Sequence, residues 1–441
     1  MKRNNTLTCE SERVFIMKLS LKAKTGCFLL ILLFGFSPTA FAKYHFDFTP
    51  SISVSEVYDD NIYLNSTNEK SDYITTVTPG FNLNMVSEKS HLELSYAPGF
   101  VWYDKEDQND TVRHSGTLTF GQDLTQHLSF DLTDTYMKSE DPLEDTEDIE
   151  GVRNTRNTYE RNTALISLRY LFGPENELTV GYGQSQLENE DKTVDDGRTQ
   201  DPSANVTYWF NVKNGMELNY GYTKADFWRD DNSIAGDDYT GHSAGITYIY
   251  RFTPHTRGSI GYDFATRDFD GSSEDYNVHT GSVGFDHQFS PDMSLTVEGG
   301  YFIQKNDRSD DENGYTYNAS LIKRFERGSI TVGGTGGWDE NYLDAERRGF
   351  SRYWSVDTNA DYQLLESLSG YVGGSYRFDK DVGSGKREAW RGNCGIRWAF
   401  LRWFSLSLDY SHAERDDDND IRDYSDNRVM LILNASKLYR W

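Results

Sequence analysis

The sequence predicts an all-β fold: a transmembrane, antiparallel, up-and-down β-barrel of about 20 strands, within a range of about 18 to 22, with no plug domain. Three observations predict it. Beyond residue 42, apolar residues recur at every second position and no segment sustains a helical period. About 20 such runs follow one another, each about 9 to 13 residues long, the length a tilted strand needs to cross a bilayer. The links between runs are by turns short and then long and charged, as expected of turns on one side of a membrane and loops on the other.

The first 42 residues are of another kind. Lys18, Lys22 and Lys24 follow Met17, then come the apolar run CFLLILLFGF, the small-residue site Ala40-Phe41-Ala42, and Lys43. This order predicts a signal peptide that starts at Met17 and is cleaved after Ala42; the apolar run is short for a spanning helix, the alternative being a retained anchor. Residues 43–441 are then the barrel, with the first strand so close to the cleavage site that no N-terminal plug is expected. Removing residues 1–42 takes away six basic and two acidic residues, leaving 38 against 68 and a formal charge of −30. That charge argues against nucleic acid as a partner and suits the cell envelope. Of three cysteines only Cys394 lies beyond residue 42, so no internal disulfide is possible there.

Taken in order, the first runs carry Phe46, Phe48, Ile52 and Val54; Tyr73, Val77, Phe81 and Leu83; Leu92, Leu94, Tyr96 and Trp102; Leu118 and Phe120; and Leu128, Phe130 and Leu132. The next are built on Ile166 and Leu168; Leu178, Val180 and Tyr182; Val206 and Tyr208; Leu218 and Tyr220; and Ile246 and Tyr248. Then come Ile260 and Tyr262; Val283 and Phe285; Val297 and Tyr301; Tyr317 and Leu321; and Ile330 and Val332. The last five hold Val356 and Tyr362; Val372 and Tyr376; Trp390 and Ile396; Leu406 and Leu408; and Leu431 and Leu433. Short links such as SEKS (87–90), GPEN (173–176) and TPHT (253–256) separate them on one side. On the other stand KSEDPLEDTEDIEGVRNTR (138–156), ENEDKTVDDGRTQ (188–200), QKNDRSDDENG (304–314) and ERDDDNDIRDYSDN (414–427). A propeller would repeat a motif every 40 to 50 residues or so, and none is found. A soluble barrel of about 20 strands cannot fill its core, so the apolar rows must face lipid.

The chain ends on Trp441, with Tyr439 two residues before it. Both fall in the lipid-facing row of the last strand, where an aromatic ring suits the membrane interface, and this ending resembles the C-terminal aromatic signature of bacterial outer-membrane proteins, which implies recognition by the barrel-assembly machinery. Lys437 stands in the same row, as do Lys323 and Asp134; the lysines can snorkel, whereas Asp134 has no explanation in the sequence. Further aromatics, among them Trp102 and Tyr103, Tyr159, Trp209, Trp338 and Tyr353, are assigned to two interfacial girdles.

Charged residues within the runs fall mainly on the opposite face: Glu93, Asp131, Arg169, Glu217, Arg251, Asp263, Asp286, Glu298, Arg377, Arg397 and Asp409. These are the candidate pore-lining residues. The loop at 138–156 either folds in to constrict the channel or remains a solvated acidic loop. SDDENG (309–314) and DDDND (416–420) fall short of a calcium loop, the first for its leading Ser309 and the second for want of a glycine. His412 lies three residues from Asp409, and no convergent set of catalytic or metal-ligating residues is found; no catalysis, cofactor or metal is expected.

Residues 50–85, PSISVSEVYDDNIYLNSTNEKSDYITTVTPGFNLNM, run as a Ser-rich strand, Tyr-Asp-Asp-Asn-Ile, a polar loop, Asp-Tyr-Ile and Thr-Pro-Gly. This stretch resembles the start of the β-barrel porin 2 family of bacterial outer-membrane proteins. The resemblance implies a porin-like channel and, since some members accompany exopolysaccharide systems, passage of polysaccharide and contact with export components. From the residues themselves, Asp59, Asp60 and Asn61 are expected to be a structural turn rather than a ligand site. The expectation is an outer-membrane channel for small hydrophilic solutes or a secreted polysaccharide, embedded in lipid and lipopolysaccharide. The alternative is a non-conducting surface protein whose acidic loops bind polysaccharide, cations or a partner.

Overall fold

The structure is a computed structural model that describes residues 44–143, 155–229, 237–341, 349–381, 385–418 and 422–441. The expected signal peptide, and residues 144–154 of the longest loop, lie outside them. The described strands are β1 (His45–Asp59), β2 (Asp72–Val86), β3 (Ser90–Tyr103), β4 (Thr111–Asp123), β5 (Leu128–Ser139) and β6 (Tyr159–Leu171). Next come β7 (Glu177–Asn189), β8 (Asp196–Trp209), β9 (Asn214–Trp228), β10 (Tyr239–Thr253), β11 (Thr256–Phe269), β12 (Tyr276–Ser290) and β13 (Met293–Asn306). The wall is completed by β14 (Glu312–Phe325), β15 (Gly328–Asn341), β16 (Gly349–Leu365), β17 (Leu368–Asp381), β18 (Gly385–Leu401), β19 (Phe404–Asp417), β20 (Tyr424–Ser436) and β21 (Tyr439–Arg440).

Each strand pairs antiparallel with the next, and the last returns to the first: Ser51 to Asp59 face Arg428 to Ser436, and Asp47 and Phe48 face Arg440 and Tyr439. Since β21 resumes the line of β20 after a break at Lys437 and Leu438, the described wall is a closed barrel of twenty strands. Closure satisfies every ladder position without leaving an edge, the condition for backbone in hydrocarbon.

The alternation decides which way the sheet faces. Ile260 and Val283, in mid-strand, are 64% and 61% exposed, whereas the residue before each, Ser259 and Ser282, turns to the interior. An isoleucine so exposed would cost a soluble protein on the order of 1.5 to 3 kcal/mol of unrealised burial. Here lipid covers it. Apolar exterior and polar interior together place the protein in the bacterial outer membrane.

The strands are longer than the hydropathy pattern indicates, from 12 residues in β5 to 17 in β16. All twenty runs are strands, but several charged stretches assigned to loops are strand too: β7 and β8 consume most of 188–200, and Glu312–Gly314 of the supposed SDDENG loop belong to β14. Beyond the bilayer, water replaces lipid outside the wall. Hydropathy then stops alternating while the backbone ladder continues.

The girdle at the loop end has a repeated construction. On seven ascending strands a tyrosine hydroxyl lies 2.7 to 3.0 Å from a polar side chain of the following strand: Tyr96 with His114, Tyr136 with Glu160, Tyr220 with His242, Tyr262 with His279, Tyr301 with Asn313, Tyr376 with Glu388 and Tyr410 with Asn427. In each case the partner stands two residues nearer the loops than the residue facing the tyrosine, so the ring points into lipid and its hydroxyl toward the headgroups. Asp134 is explained by the same region. One outward step below Tyr136, it accepts a 2.7 Å hydrogen bond from Asn162 Nδ2. Lys437 Nζ lies 5.0 and 4.6 Å from the rings of Trp403 and Tyr439. Five aromatics assigned to the girdles face inward instead: Tyr103, Tyr159, Trp209, Trp338 and Tyr353. The first, second, third and fifth occupy the inner parity of their strands, and Trp338 lies beyond a bend described below.

Candidate functional site: the outer mouth

At the loop end two segments turn into the lumen. The first is the pair of loops that follow β1 and β5. Asn61, Ile62 and Leu64 of the first loop are 0 to 2% exposed, although loops ordinarily run over a surface. Ile62 packs on the inward-facing Ile74, Val101 and Tyr103; Leu64 reaches Ala413 and Tyr424 on the opposite side of the seam. Leu64 holds this position with a left-handed backbone, φ 49°, rare for a bulky residue. Asn61 stabilises the loop: its Nδ2 donates to the carbonyls of Asn65 and Ser425, and its Oδ1 accepts from Asn65 N.

Against this loop rest the two ends of the segment between β5 and β6. Asp141 accepts from Arg428 Nη1 at 2.8 Å and stands 3.4 Å from Arg156 Nη1. Arg156, with a fully buried side chain, donates to Asp59 Oδ2 at 3.1 Å and to the Ile62 carbonyl at 2.6 Å. Glu140 is gripped by Arg113 at 2.5 and 2.9 Å and by the Tyr103 hydroxyl at 2.7 Å. Tyr159 donates to the Asp141 carbonyl at 2.8 Å. Burial raises the Asp141 and Glu140 pKa, but Arg428, Arg156 and Arg113 around the first, and Arg113 with Tyr103 around the second, outweigh it, and both carboxyls sit below their ordinary range. The described ends of the loop therefore dock as a charged, compensated cluster. Of the two sequence readings for 138–156, its described ends follow the inward one.

The Asp-Asp-Asn turn is the centre of this arrangement. Asp59 bonds Asn61 N at 2.9 Å and both Arg156 and Arg428; Asp60 accepts from Asn427 N and Nδ2 at 2.7 and 2.9 Å. It is a turn, as expected, but also a staple joining the barrel seam to the constricting loop. Sequence reading had no signal for this, since the partners lie from 97 residues away, at Arg156, to more than 360, at Asn427 and Arg428.

The second segment is the hairpin β15–β16. Along β15 the even positions face lipid as far as Gly336, which opposes the exposed Trp354. Past it, Trp338, Glu340 and Phe350 keep that parity yet touch the inner wall: Glu340 accepts from Arg267 at 2.6 Å and from the Tyr276 hydroxyl at 2.5 Å, while Phe350 and Trp338 pack on Phe302, Tyr276 and Val278. Only a hairpin bent into the mouth permits both. Gly336 leaves room for the ring of Tyr317, which a Cβ there would enter. On the other side Asp339 accepts from Arg377 Nη2 at 2.8 Å, and Arg377 also grips Asp379.

The eleven candidate pore-lining residues all occupy the face opposite the apolar rows. Arg377 is drawn into the hairpin contact. At the turn end Arg251 stacks 3.6 Å over Trp209 and pairs with Glu175, and Asp286 stands 3.5 Å from Arg257. Glu93 accepts from Asn82, Arg169 approaches Glu177, and Asp409 accepts from Tyr371. Asp131, Glu217, Asp263, Glu298 and Arg397 also face inward, with no ion pair among the described residues. His412 and Asp409 point to opposite faces of the wall, so that pair does not assemble; His412 meets Asn427 and Glu414 on the outside. Among the described residues no His, Cys, Asp or Glu cluster is fit to hold a metal.

No protein-family model matches the sequence, and comparison with curated proteins yields no relative. Among solved structures, the barrel resembles the siderophore receptor PirA from Pseudomonas aeruginosa, with a TM-score of 0.51 at 9% identity over 88% of this chain and 80% of that one. A mutant of the ferric enterobactin receptor PfeA from the same organism gives 0.51 at 8% identity over the same shares. The outer-membrane protein OpdK, also from Pseudomonas aeruginosa, gives 0.38 at 11% over 89% and 99%. These likenesses concern fold. They also correct the expectation of a barrel with no plug domain: the receptors are TonB-dependent, a class whose barrels contain one. A wall of twenty strands stands between the girth of open porins and that of plugged transporters, so the strand pattern does not exclude a plug.

Proposed function

We propose that the protein is a channel of the outer membrane that passes small hydrophilic solutes through a mouth narrowed by its own inward-turned segments. The single observation that carries this reading is the ion-paired mouth: the described ends of the loop after β5 are tied to the inner wall by the pairs Glu140–Arg113, Asp141–Arg428 and Arg156–Asp59. A protein using its loops only to bind partners outside would gain nothing by burying charged loop ends, each of which costs several kcal/mol to desolvate unless paired. The narrowing favours small solutes over a polymer. Polysaccharide passage rests on the resemblance of residues 50–85 alone, and no protein-family model matches the chain. The reading needs no cofactor and no catalytic step.

Planar-bilayer recording of the refolded protein tests it. Discrete conductance steps are expected, and their absence over a range of voltages would reject the channel in favour of a non-conducting surface protein. Lipid, lipopolysaccharide and the barrel-assembly machinery remain the partners that this reading implies.

A further inference from the structure

Beneath the docked loop the lumen wall forms a recess of about 500 Å³, running from β17 through β20 to β4. Its roof is Asp141 with Arg113 and Arg428, whose charges are already matched to one another and to Glu140 and Asp59. Below the roof the wall presents the hydroxyls of Ser55, Thr76, Thr78, Ser115 and Ser411, interspersed with apolar surface from Val57, Ile74, Ala97, Leu143 and Met430 that can pack on the carbon face of a ligand. At the far end Asn393 lies beside Tyr371 and Asp409.

Tyr371, Gly395 and Asp409 form one row across three strands, and Tyr371 reaches over the glycine to donate to Asp409 Oδ1 at 2.7 Å. Gly395 is what allows this. A Cβ there would collide with both the carboxylate and the ring. The tyrosine occupies one lone pair of the carboxylate and fixes its plane, leaving its remaining acceptor sites to the recess.

We infer that this recess is a binding site for a single neutral polyhydroxylated solute of about mono- to disaccharide size. The inference rests on the channel reading and names its substrate class. A hydroxyl-rich ligand needs both donors and acceptors at close spacing, which serine and threonine hydroxyls, a carboxamide and an oriented carboxylate supply together. A net anion meets no uncompensated positive charge in the roof and faces Asp409. An apolar ligand would strand the wall's hydroxyls without water. The volume lies within the range of small-molecule sites.

The test uses the full-length protein in planar bilayers, with sucrose as the neutral probe, arginine methyl ester as the cation and benzoate as the anion. Sucrose is expected to interrupt the ion current in a concentration-dependent manner, more strongly than either charged probe. Asp409→Ala and the near-isosteric pair Thr76→Val with Thr78→Val should each weaken the block about tenfold, the equivalent of about 1.4 kcal/mol, while leaving conductance steps present. Current with no sucrose block, block unchanged in both variants, or stronger block by a charged probe overturns the site while the channel stands. Should no current appear at all, the channel reading falls, and equilibrium dialysis of radiolabelled sucrose against the detergent-solubilised protein decides the recess: binding lost in Asp409→Ala sustains it, and no binding overturns it.

Discussion

Asp141, two residues past the end of β5, accepts a 2.8 Å hydrogen bond from Arg428 of β20, 287 residues further along the chain. Because Arg428 also holds Asp59 and Asp426, one guanidinium joins the constricting loop to the seam where the barrel closes. Replacing it by methionine leaves three carboxylates around an apolar side chain. Breaking a buried charge pair from one side typically costs about 3 to 5 kcal/mol, here chargeable to loop docking, since the backbone ladder of β20 is untouched. Arg428→Met should therefore raise single-channel conductance and its noise while the protein still folds. A variant with wild-type conductance would show that the loop does not narrow the path.

Proton concentration should act on the same latch from one direction. The Asp141 and Glu140 carboxyls are depressed when docked, from ordinary values of 3.8 and 4.5. A group whose pKa is lower docked than undocked gives its full stabilisation above the undocked value and loses it as pH falls below that value. Conductance should thus rise as pH falls below about 4, where these two carboxyls protonate and the loop ends undock. An opening between pH 6 and 7 would place the control elsewhere, on groups such as histidine.

How far the sequence revealed all this follows from the range of its signals. Alternation is local, so every strand that touches lipid, from Phe46 to Trp441, could be read by parity, and with it the lumen side of Glu93 through Asp409. The same criterion failed where lipid ends. Glu312 and Asn313 looked like loop because polar residues on both faces of a wall in water leave no period, though the ladder runs through them. The plug expectation failed because occupancy of a lumen is not encoded in strand pattern. The constriction was hidden most completely: Asp59, Asp141, Arg156 and Arg428 are four ordinary charges in an acidic sequence until closure brings them together. Asp-Asp-Asn read as a turn, and only the partners of Asp59 and Asp60 disclose the staple.

Phe302 is fully buried where the β15–β16 hairpin rests against β12 and β13, with its ring 6.0 Å from that of Phe350. Truncating such a ring commonly costs about 3 to 5 kcal/mol. Phe302→Ala should release the hairpin without disturbing the lipid-facing Tyr301 and Ile303. Faster trypsin cleavage after Arg347 and Arg348 in outward-oriented proteoliposomes would record it. Equal cleavage rates in variant and parent would mean that the hairpin is not held by this contact.

At the other end of the barrel, Trp441 exchanges two backbone hydrogen bonds with Phe46, at 2.9 and 3.2 Å, while Arg440 pairs with Asp47. Deleting residues 438–441 removes this closure at the periplasmic rim together with the terminal aromatic. The truncated chain should yield less of the compact, heat-modifiable form on unheated gels of outer-membrane fractions, and Trp441→Phe should restore it. Normal yield from the deletion would deny the terminus a part in assembly.

Val283 and Ser282 are neighbours in β12 on opposite faces of the wall, and each strand of the barrel repeats that opposition. Arginine at position 283 would be driven into hydrocarbon, at a cost of about 2 to 4 kcal/mol near the bilayer midplane; at position 282 it would enter the polar interior, where arginines such as Arg257 already stand. In urea unfolding from lipid vesicles, Val283→Arg should therefore fall well below the parent and Ser282→Arg remain close to it. Both variants add one positive charge to the same strand, so net charge cancels in the comparison, and the direction of the face outweighs the difference of at most about 1 kcal/mol in strand propensity between the residues replaced. Equal losses at the two positions would mean that the apolar rows do not meet lipid, and the barrel could not be the membrane-spanning wall on which every other prediction depends.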